Sequence, residues 1–277
     1  MGGRRKRVHP ERLLDVVLPF PPTAEQRRMV DLMVAFDAAL DRARLLAQTS
    51  RSALGALVSD WQLAYDGPFI KLGELGELAS GPSWSAADER LTPQLEHIRV
   101  LGITNTPPGG LIDLETTKYV SGLSRKTRLL VPGSLLMIRT NGNRTRIGNV
   151  YRVPREAYGC AFSAFQISIN IQDPRDADFV YWMLDSPRVQ RTITDNASGS
   201  TGLGNIAVRW LKDLNIPWPS PAIRKAVVAL LDSLEDSVIA ADRECQAART
   251  GRTAVLQSLL SGERRIPDAY DALLRSS

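Results

Sequence analysis

The chain has 277 residues, of which 43% are hydrophobic and 23% are charged, with a formal net charge of +5 and a pI near 9.4. These values are typical of a folded protein rather than a disordered one, and the length suits two structural parts. Two cysteines and two histidines, all widely spaced, argue against a disulfide framework and a histidine-based metal site.

The N-terminus begins MGGRRKR and has no apolar core behind it, which argues against a signal peptide. The sequence also lacks an apolar run of the roughly 18 residues that a membrane span needs. We therefore expect a soluble, cytoplasmic protein.

A proline-rich phrase, LPFPPTAEQRR, occupies positions 18–28. Its prolines exclude regular helix and central strand, so it marks a boundary between two units. Thr23 is predicted to be a helix N-cap, with Gln26 completing a capping box. Apolar and small residues then recur in alternating steps of four and three, which predicts a heptad seam on a helix over 23–62: Met29, Met33, Phe36, Leu40, Ala43, Ala47, Ser50, Leu54, Leu57 and Trp61.

Residues 63–220 have a different texture, in which β-branched and aliphatic runs alternate with Gly, Pro and Asn turns. FIKLGEL, TRLLVPGSLLMIRT, RIGNVYRV and AFSAFQISINI are predicted strands, and a helix with Phe179 and Met183 on one face is predicted after Pro174. Asn141-Gly142 predicts a tight hairpin turn with positive φ within residues 139–146. The segment is therefore predicted to be one mixed α/β domain.

This central domain is basic, because Arg99 to Arg155 contains ten Lys or Arg residues and only two acids, Asp113 and Glu115. A basic surface of this kind suits a phosphate backbone, although a solvated surface without a partner has the same composition. Catalytic motifs are not found. The glycine-rich Gly199–Gly204 lacks the Gly-Lys-Ser/Thr ending of a P-loop, and Asn105-Thr-Pro-Pro108 lacks the aromatic residue of a methyltransferase loop.

The proline phrase returns as IPWPSPAIRKA at positions 216–226, displaced by 198 residues because Pro217 corresponds to Pro19. A second long helix is predicted over 221–262, followed by a tail over 263–277. Its seam is Val227, Leu231, Leu234, Val238, Ala241, Cys245 and Ala248; Arg252 interrupts it, and Leu256 and Leu259 resume it after a four-residue stutter. We expect the two helices to pair antiparallel as a coiled coil, with Phe36 and Leu234 inside the pair.

A basic domain between two such units resembles the specificity subunit of type I restriction–modification systems, and the resemblance covers nearly the whole chain. WQLAYDGPFIKLGELGE at 61–77 resembles the start of a target-recognition domain, and SGSTGLGNIAVRWLKDLNIPWP at 198–219 resembles its close. VPGSLLMIRTNG is similar to a family strand but has Ser134 in place of the usual Asp. LLSGERRIP resembles the family's C-terminal end. The second copy departs from the pattern with Ile223-Arg224 where the first has Glu25-Gln26.

The resemblance implies an α+β fold with one target-recognition domain between two paired helices. It implies a non-catalytic, DNA-binding subunit whose partners are methyltransferase subunits and a translocase/nuclease subunit. Those partners would use S-adenosylmethionine, ATP and Mg²⁺, and this chain would use no cofactor. Residues 1–22 align with the end of a preceding recognition domain and the hinge, so we expect the chain to read one half of a bipartite target. The other half would be read through self-dimerisation or by a second chain.

The predicted DNA contacts fall into two groups, with phosphate contacts assigned to the loop residues and base readout to the hairpin. They are Lys118, Arg125, Lys126 and Arg128, and Arg139, Asn141, Asn143, Arg144 and Arg146. The predicted helix-pair or partner interface comprises Met29, Met33, Phe36, Leu40, Leu54, Leu57, Val227, Leu231, Leu234, Val238, Leu256 and Leu259. The alternative is a helical-hairpin adaptor that binds only protein.

Overall fold

The computed structural model describes residues 21–108, 111–197, 204–267 and 269–271, so of the predicted domain remnant and hinge over 1–22, residues 1–20 lie outside the described residues. The chain divides into two compact units. The helical unit is formed by 1–51 with 236–277, and the central unit by 52–235. Helix α1 (Thr23–Ala64) and helix α6 (Pro221–Leu260) each contribute to both units. Among the described residues, the long helices are too polar to cross a membrane.

The helical unit is an antiparallel pair of helices. Asp37 near the start of α1 forms an ion pair of 2.6 Å with Arg252 near the end of α6, and Arg51 forms an ion pair with Asp242. Met29 packs in the same apolar cluster as Leu259. Positions that rise along α1 therefore meet positions that fall along α6, and the predicted antiparallel pairing is confirmed.

The seam of α6 continues through Arg252 without the predicted stutter. Val238, Cys245 and Leu259 are buried, and Arg252 occupies the remaining position of this seven-residue series. Its side chain is 29% exposed, and its guanidinium reaches Asp37. A long arginine can keep its apolar stem in a seam while its charged end reaches outward, so a cation interrupts the hydrophobic pattern without interrupting the packing.

In the central unit the buried positions of the two long helices depart from the predicted seam. On α1, Leu57 is 42% exposed and Val58, one position further on, is buried. On α6, Leu231 continues the buried seven-residue series, while Leu234 is 37% exposed. Val58 and Leu231 both belong to the sheet-containing core. The prediction that Leu234 lies inside the pair is therefore wrong.

The strands of the central unit are β1 Phe69–Lys71, β2 Gly76–Ser80, β3 Glu89–Arg90, β4 Ile98–Leu101, β5 Lys118–Val120, β6 Ser134–Ile138, β7 Thr140–Asn141, β8 Val150–Arg152, β9 Ala161–Phe162, β10 Gln166–Ile171, β11 Gly204–Asn205 and β12 Asn215–Pro217. Within its described residues they form two four-stranded sheets and two two-stranded ones. Their orders are β2-β10-β6-β8, β3-β5-β4-β9, β1-β12 and β7-β11, and the β4-β9 pair is parallel. The short helices are α2 Leu72–Leu75, α3 Ala177–Asp185, α4 Pro187–Asn196 and α5 Val208–Lys212.

Strand β6 is buried on both faces. Leu135 and Met137 enter one apolar core, and Leu136 and Ile138 enter another, because successive side chains of a strand point to opposite faces. Helix α3 covers the first core and completely buries Phe179. The helix predicted after Pro174 is confirmed, and so is the mixed α/β character of the domain.

The connection from β6 to β8 is longer than the predicted hairpin. The two strands are antiparallel, with Leu135 opposite Arg152, but residues 139–149 between them contain β7 and a 3₁₀ turn. Positive φ occurs at Gly148 (89°) instead of Gly142, so the predicted tight turn at Asn141-Gly142 is wrong. The Asn141 side chain accepts a hydrogen bond from the Asn143 amide at 2.8 Å, which bends the chain locally and continues it into the longer loop.

Both proline phrases begin their helices in the same way. The Gln26 side chain donates to the carbonyl of Pro21 at 2.7 Å, and the Arg224 side chain donates to the carbonyl of Pro219 at 2.7 Å. Gln26 and Arg224 are 198 positions apart, which is the offset of the repeat. The repeat in sequence is therefore a repeat in structure, although Gln26 reaches Pro21 instead of the predicted backbone amide of Thr23.

Candidate nucleic-acid interface

Apart from Lys118, the predicted DNA contacts lie at opposite ends of the β2-β10-β6-β8 sheet. Residues 139–146 follow the end of β6, where Ile138 is opposite Gln166. Residues 125–128 precede the start of β6, where Ser134 is opposite Asn170. We call the first the tip end (residues 139–146 with the turn 163–166) and the second the groove end (residues 125–132).

The groove end gathers three cations around one open groove. Arg125, Lys126 and Arg128 line a cavity of about 760 Å³ together with Asn170 and Gln172 of the central strand region. Arg125 and Lys126 are exposed, and neither side chain has a hydrogen-bond or ion-pair partner within the described ranges. Both cations are therefore available to a ligand that enters the groove.

Glu77 limits the charge of this groove. It lines the same cavity and forms an ion pair with Arg128, and both side chains are more than half exposed. Exposed pairs of this kind are weak and exchange readily with other partners. A phosphate group would therefore compete with Glu77 for Arg128.

Lys118 belongs to the other four-stranded sheet. Its ammonium group lies 2.5 Å from Glu89, which also accepts a hydrogen bond from Trp84 at 2.9 Å. The hydrogen bonds from Lys118 and Trp84 lower the pKa of the Glu89 carboxyl. Lys118 thus has a structural partner, and its contact with DNA stays a prediction.

The three arginines of the tip end donate to backbone carbonyls of their own domain. Arg139 reaches Ala164 and Ile206 at 3.4 Å each, Arg144 reaches Ala197 at 3.1 Å, and Arg146 reaches Thr106. Arg144 is nevertheless exposed, while Arg139 and Arg146 are half-buried. These contacts hold the connecting loops in place.

The two predicted asparagines also act locally. The Asn141 oxygen accepts from the Asn143 amide, and the Asn143 oxygen accepts from Thr145 at 3.1 Å. Neither side-chain NH₂ group has a hydrogen-bond acceptor within the ranges that the structure describes. Each asparagine therefore retains donors, and a carbonyl oxygen can accept a second hydrogen bond.

The turn at 163–166 is a feature of the tip end that the sequence analysis missed. The side-chain oxygen of buried Gln166 accepts from the Ser163 amide at 3.1 Å, and its nitrogen donates to the Gly102 carbonyl at 3.1 Å. Phe165 between them is 52% exposed. The run AFSAFQISINI was predicted as one strand, and the Ser-x-x-Gln spacing is the signal that marks the turn inside it.

Arg152 belongs to the basic stretch from Arg99 to Arg155 that suits contact with a phosphate backbone, but its role in the structure is a different one. It forms ion pairs with Asp178 at 2.9 Å and with Asp232 and Glu235 at 2.5 Å each. Its guanidinium lies 4.1 Å from the ring centre of Tyr181. Arg152 therefore joins β8 to α3 and α6, and no local sequence signal distinguishes it from a DNA-binding arginine.

Asn105 of the Asn-Thr-Pro-Pro segment is a structural residue. It is buried, its side-chain oxygen accepts from the Gly102 amide at 2.8 Å, and its nitrogen donates to the Asp113 carbonyl at 2.9 Å. This agrees with the absence of a methyltransferase loop in the sequence. The glycine-rich segment lies outside the described residues except for Gly204.

The seam residues predicted as an interface mostly pack inside the molecule. Helix α1 exposes another apolar face in the helical unit, where Val30, Val34 and Leu45 are 60%, 61% and 65% exposed. At 100° per residue these positions lie roughly 90° to 150° around the helix from the buried seam. A partner protein would therefore meet residues that the seam prediction did not include.

The sequence matches no protein-family model and no curated protein. Several solved structures share its fold, among them the following three. A chain from a study of complex assembly and conformational transition of the type I R-M system is 17% identical, with a TM-score of 0.63 over 94% of this chain. The HsdS subunit from Thermoanaerobacter tengcongensis is 16% identical, with a TM-score of 0.54 over 95% of this chain.

The type I restriction–modification S subunit from M. genitalium is 14% identical, with a TM-score of 0.51 over 86% of this chain. The aligned part is 64%, 65% and 61% of the three solved chains respectively, so this chain spans less than two thirds of their length. The fold implied by the sequence resemblance is thus confirmed: this chain has the α+β fold of type I specificity subunits.

Proposed function

We propose that this chain is a DNA-binding specificity subunit of a type I restriction–modification complex that acts in the cytoplasm. The observation that carries the proposal is the shared fold over 94% of the chain, with a TM-score of 0.63. The free cations Arg125 and Lys126 on one groove support duplex contact by the central unit. Methylation and cleavage, with S-adenosylmethionine, ATP and Mg²⁺, would belong to partner subunits.

In this proposal the two ends of the sheet have separate tasks. The groove end contacts phosphates, which positions the duplex without reading its sequence. The tip end offers Asn143 and Arg144 as exposed groups for base edges, where asparagine suits adenine and arginine suits guanine. The exposed apolar face of α1 would dock the modification subunits.

An adaptor without DNA binding is the second candidate, and one observation favours it. Seven of the ten basic residues between Arg99 and Arg155 have partners inside the protein, which leaves fewer free cations than the composition suggests: Arg99, Lys118, Arg128, Arg139, Arg144, Arg146 and Arg152. An adaptor would bind the modification subunits but would not bind DNA.

Salt dependence separates the two candidates. We expect the full chain, mixed with its methyltransferase subunits, to bind fluorescent duplex with an affinity that falls steeply as salt rises, because phosphate contacts release counterions. The control is Arg125→Gln combined with Lys126→Gln, which should flatten the salt dependence. Complex formation with the subunits but without salt-sensitive duplex binding would favour the adaptor.

Selection from random duplexes tests whether the chain reads half of a bipartite target. A single short conserved block is expected for one central unit, and an inverted repeat of that block is expected if two copies act together. Two unlike blocks bound by this chain as the sole specificity subunit would contradict a one-domain reader.

A further inference from the structure

A fixed turn at the tip end presents an aromatic ring that the core does not use. Phe165 is 52% exposed, although the adjacent Gln166 is completely buried. Gln166 holds the turn through Ser163 and Gly102, and the Phe165 carbonyl accepts from the amides of Arg139 and Thr140 at 2.8 and 3.2 Å. Since the backbone is tied on both sides, the exposure of the ring is a property of the folded domain.

The surroundings of this ring suit a nucleic-acid base. Three of the segments that meet at the turn, 102–108, 139–150 and 161–172, contain no Asp or Glu. They include Asn141 and Asn143, whose side chains carry amides, and the exposed residue Arg144. An apolar group near uncharged amides and cations suits contact with base edges.

We infer that Phe165 contacts the 5-methyl group of a thymine in the major groove. This inference rests on the proposed function and adds a specificity-determining residue to it. Half of the side chain is covered by its own domain, so it can touch a base edge but does not project far enough to wedge between base steps. Asparagine donors on the same segment suit an adjacent adenine, whose N6 and N7 lie in the same groove.

Thymine-to-uracil substitution tests the contact without changing base pairing. In the target obtained by selection, each thymine is replaced in turn by uracil, and duplex affinity is measured for the full chain with its methyltransferase subunits. We expect one position at which loss of the methyl group lowers affinity about fourfold. In Phe165→Ala the same replacement should have no effect, because the group that contacts the methyl is gone.

Leu91→Ala is the matched control, because Leu91 is an apolar side chain that is 79% exposed in the loop between β3 and β4. This variant should keep the full discrimination between thymine and uracil. The thermal unfolding midpoint of Leu91→Ala should equal that of the wild type, and that of Phe165→Ala should fall only slightly, because half of the Phe165 surface is solvent-exposed.

The inference is overturned if no thymine position responds, or if Phe165→Ala discriminates thymine from uracil as the wild type does. In either case salt-sensitive duplex binding would remain, and the proposed function would stand. Absence of salt-sensitive duplex binding by the wild type would overturn the proposed function and this inference together.

Discussion

At the scale of single residues, Arg152 concentrates more interactions than any neighbouring cation. Its three carboxylate partners come from two helices, and its ring contacts come from Tyr181 and Trp182 at 4.1 and 5.0 Å. Trp182 in turn donates to Asp232 at 2.8 Å. A partly buried cation with this many acids is difficult to replace, because its removal leaves the carboxylates facing one another.

We therefore expect Arg152→Gln to lower the free energy of unfolding by about 2 kcal/mol, below the cost for a fully buried pair because the side chain is 29% exposed. Urea denaturation of the full chain measures this. Arg155→Gln, which changes an exposed arginine three residues away, should stay within about 0.5 kcal/mol of the wild type. If Arg152→Gln changes the free energy of unfolding as little as Arg155→Gln does, the Arg152 cluster adds no stability.

Asp173 gives a pH-dependent prediction. Hydrogen bonds from the side chain and the backbone of Arg175 lower the pKa of the Asp173 carboxyl to about 2. A depressed pKa favours folding above the ordinary carboxylate value, and that contribution is lost as pH falls through about 2. NMR titration should give this midpoint for Asp173, and Arg175→Gln should move it towards the ordinary value. A midpoint already near the ordinary value in the wild type would contradict the contact.

At the scale of elements, only some of the seam positions predicted on the two long helices are buried. Phe36 packs into the apolar cluster of the helical unit, while Leu234 is 37% exposed in the central unit. The sequence pattern treats these two residues as equivalent seam positions. Their energetic contributions should therefore differ.

We expect Phe36→Asn to destabilise the protein by about 2 kcal/mol, because it places an unpaired polar group in the apolar cluster. Leu234→Asn should cost no more than about 0.5 kcal/mol, since solvent already reaches that site. Asparagine avoids adding a charge next to Asp232 and Glu235. Thermal unfolding of the two variants compares these losses of stability directly. A larger loss for Leu234→Asn would show that Leu234 is a buried seam position, as the sequence predicts, and would contradict its exposure in the structure.

Long periodic elements were predictable from the sequence because their pattern is repeated many times. Helix α1 was predicted over 23–62 and ends at Ala64, and α6 was predicted over 221–262 and ends at Leu260. Strand β6 was predictable because it is apolar on both faces, and β10 because its isoleucines alternate with polar residues. The small sheet around β4 and β5 was missed, since strands of four and three residues give too little periodicity.

The candidate site was predictable in composition but only partly in geometry. Arg125 and Lys126 were placed correctly in an exposed loop, because neighbouring turn residues and charge indicate exposure. Arg144 donates to the carbonyl of Ala197, and Arg146 donates to the carbonyl of Thr106. These partners are 53 and 40 positions away along the chain. A single sequence contains no local signal for such partners, so internal and ligand-binding arginines look alike.

At the scale of the whole molecule, the net charge of +5 would favour the proposed binding of duplex DNA, and individual acids would weaken it. Glu77 is the acid that lines the groove end, where it holds Arg128. Its effect on binding should therefore exceed that of its charge alone.

We expect Glu77→Gln to tighten binding to every duplex alike and to steepen the slope of log affinity against log salt by about 0.9, because Arg128 becomes free for one more phosphate. Anisotropy titrations at several salt concentrations measure both effects. Glu74→Gln is the matched control, since it removes the same charge from an exposed site outside the groove. If both variants change binding equally, Glu77 acts only through net charge. In an Arg128→Gln background, Glu77→Gln should lose its effect on the slope.

The separation of the tip end from the groove end has a consequence for how the proposed duplex ligand is bound. The six residues of β10 between them rise about 3.4 Å each, so the two ends are about 17 Å apart. B-DNA rises 3.4 Å per base pair, which makes this distance about five base pairs, or half of a helical turn. Over half a turn the face that a straight duplex shows to a rigid surface changes from one groove to the other. For a duplex that lies along β10, a tip end seated in the major groove therefore sets the groove-end cations across the minor groove. Their footprint falls on the phosphates that border it.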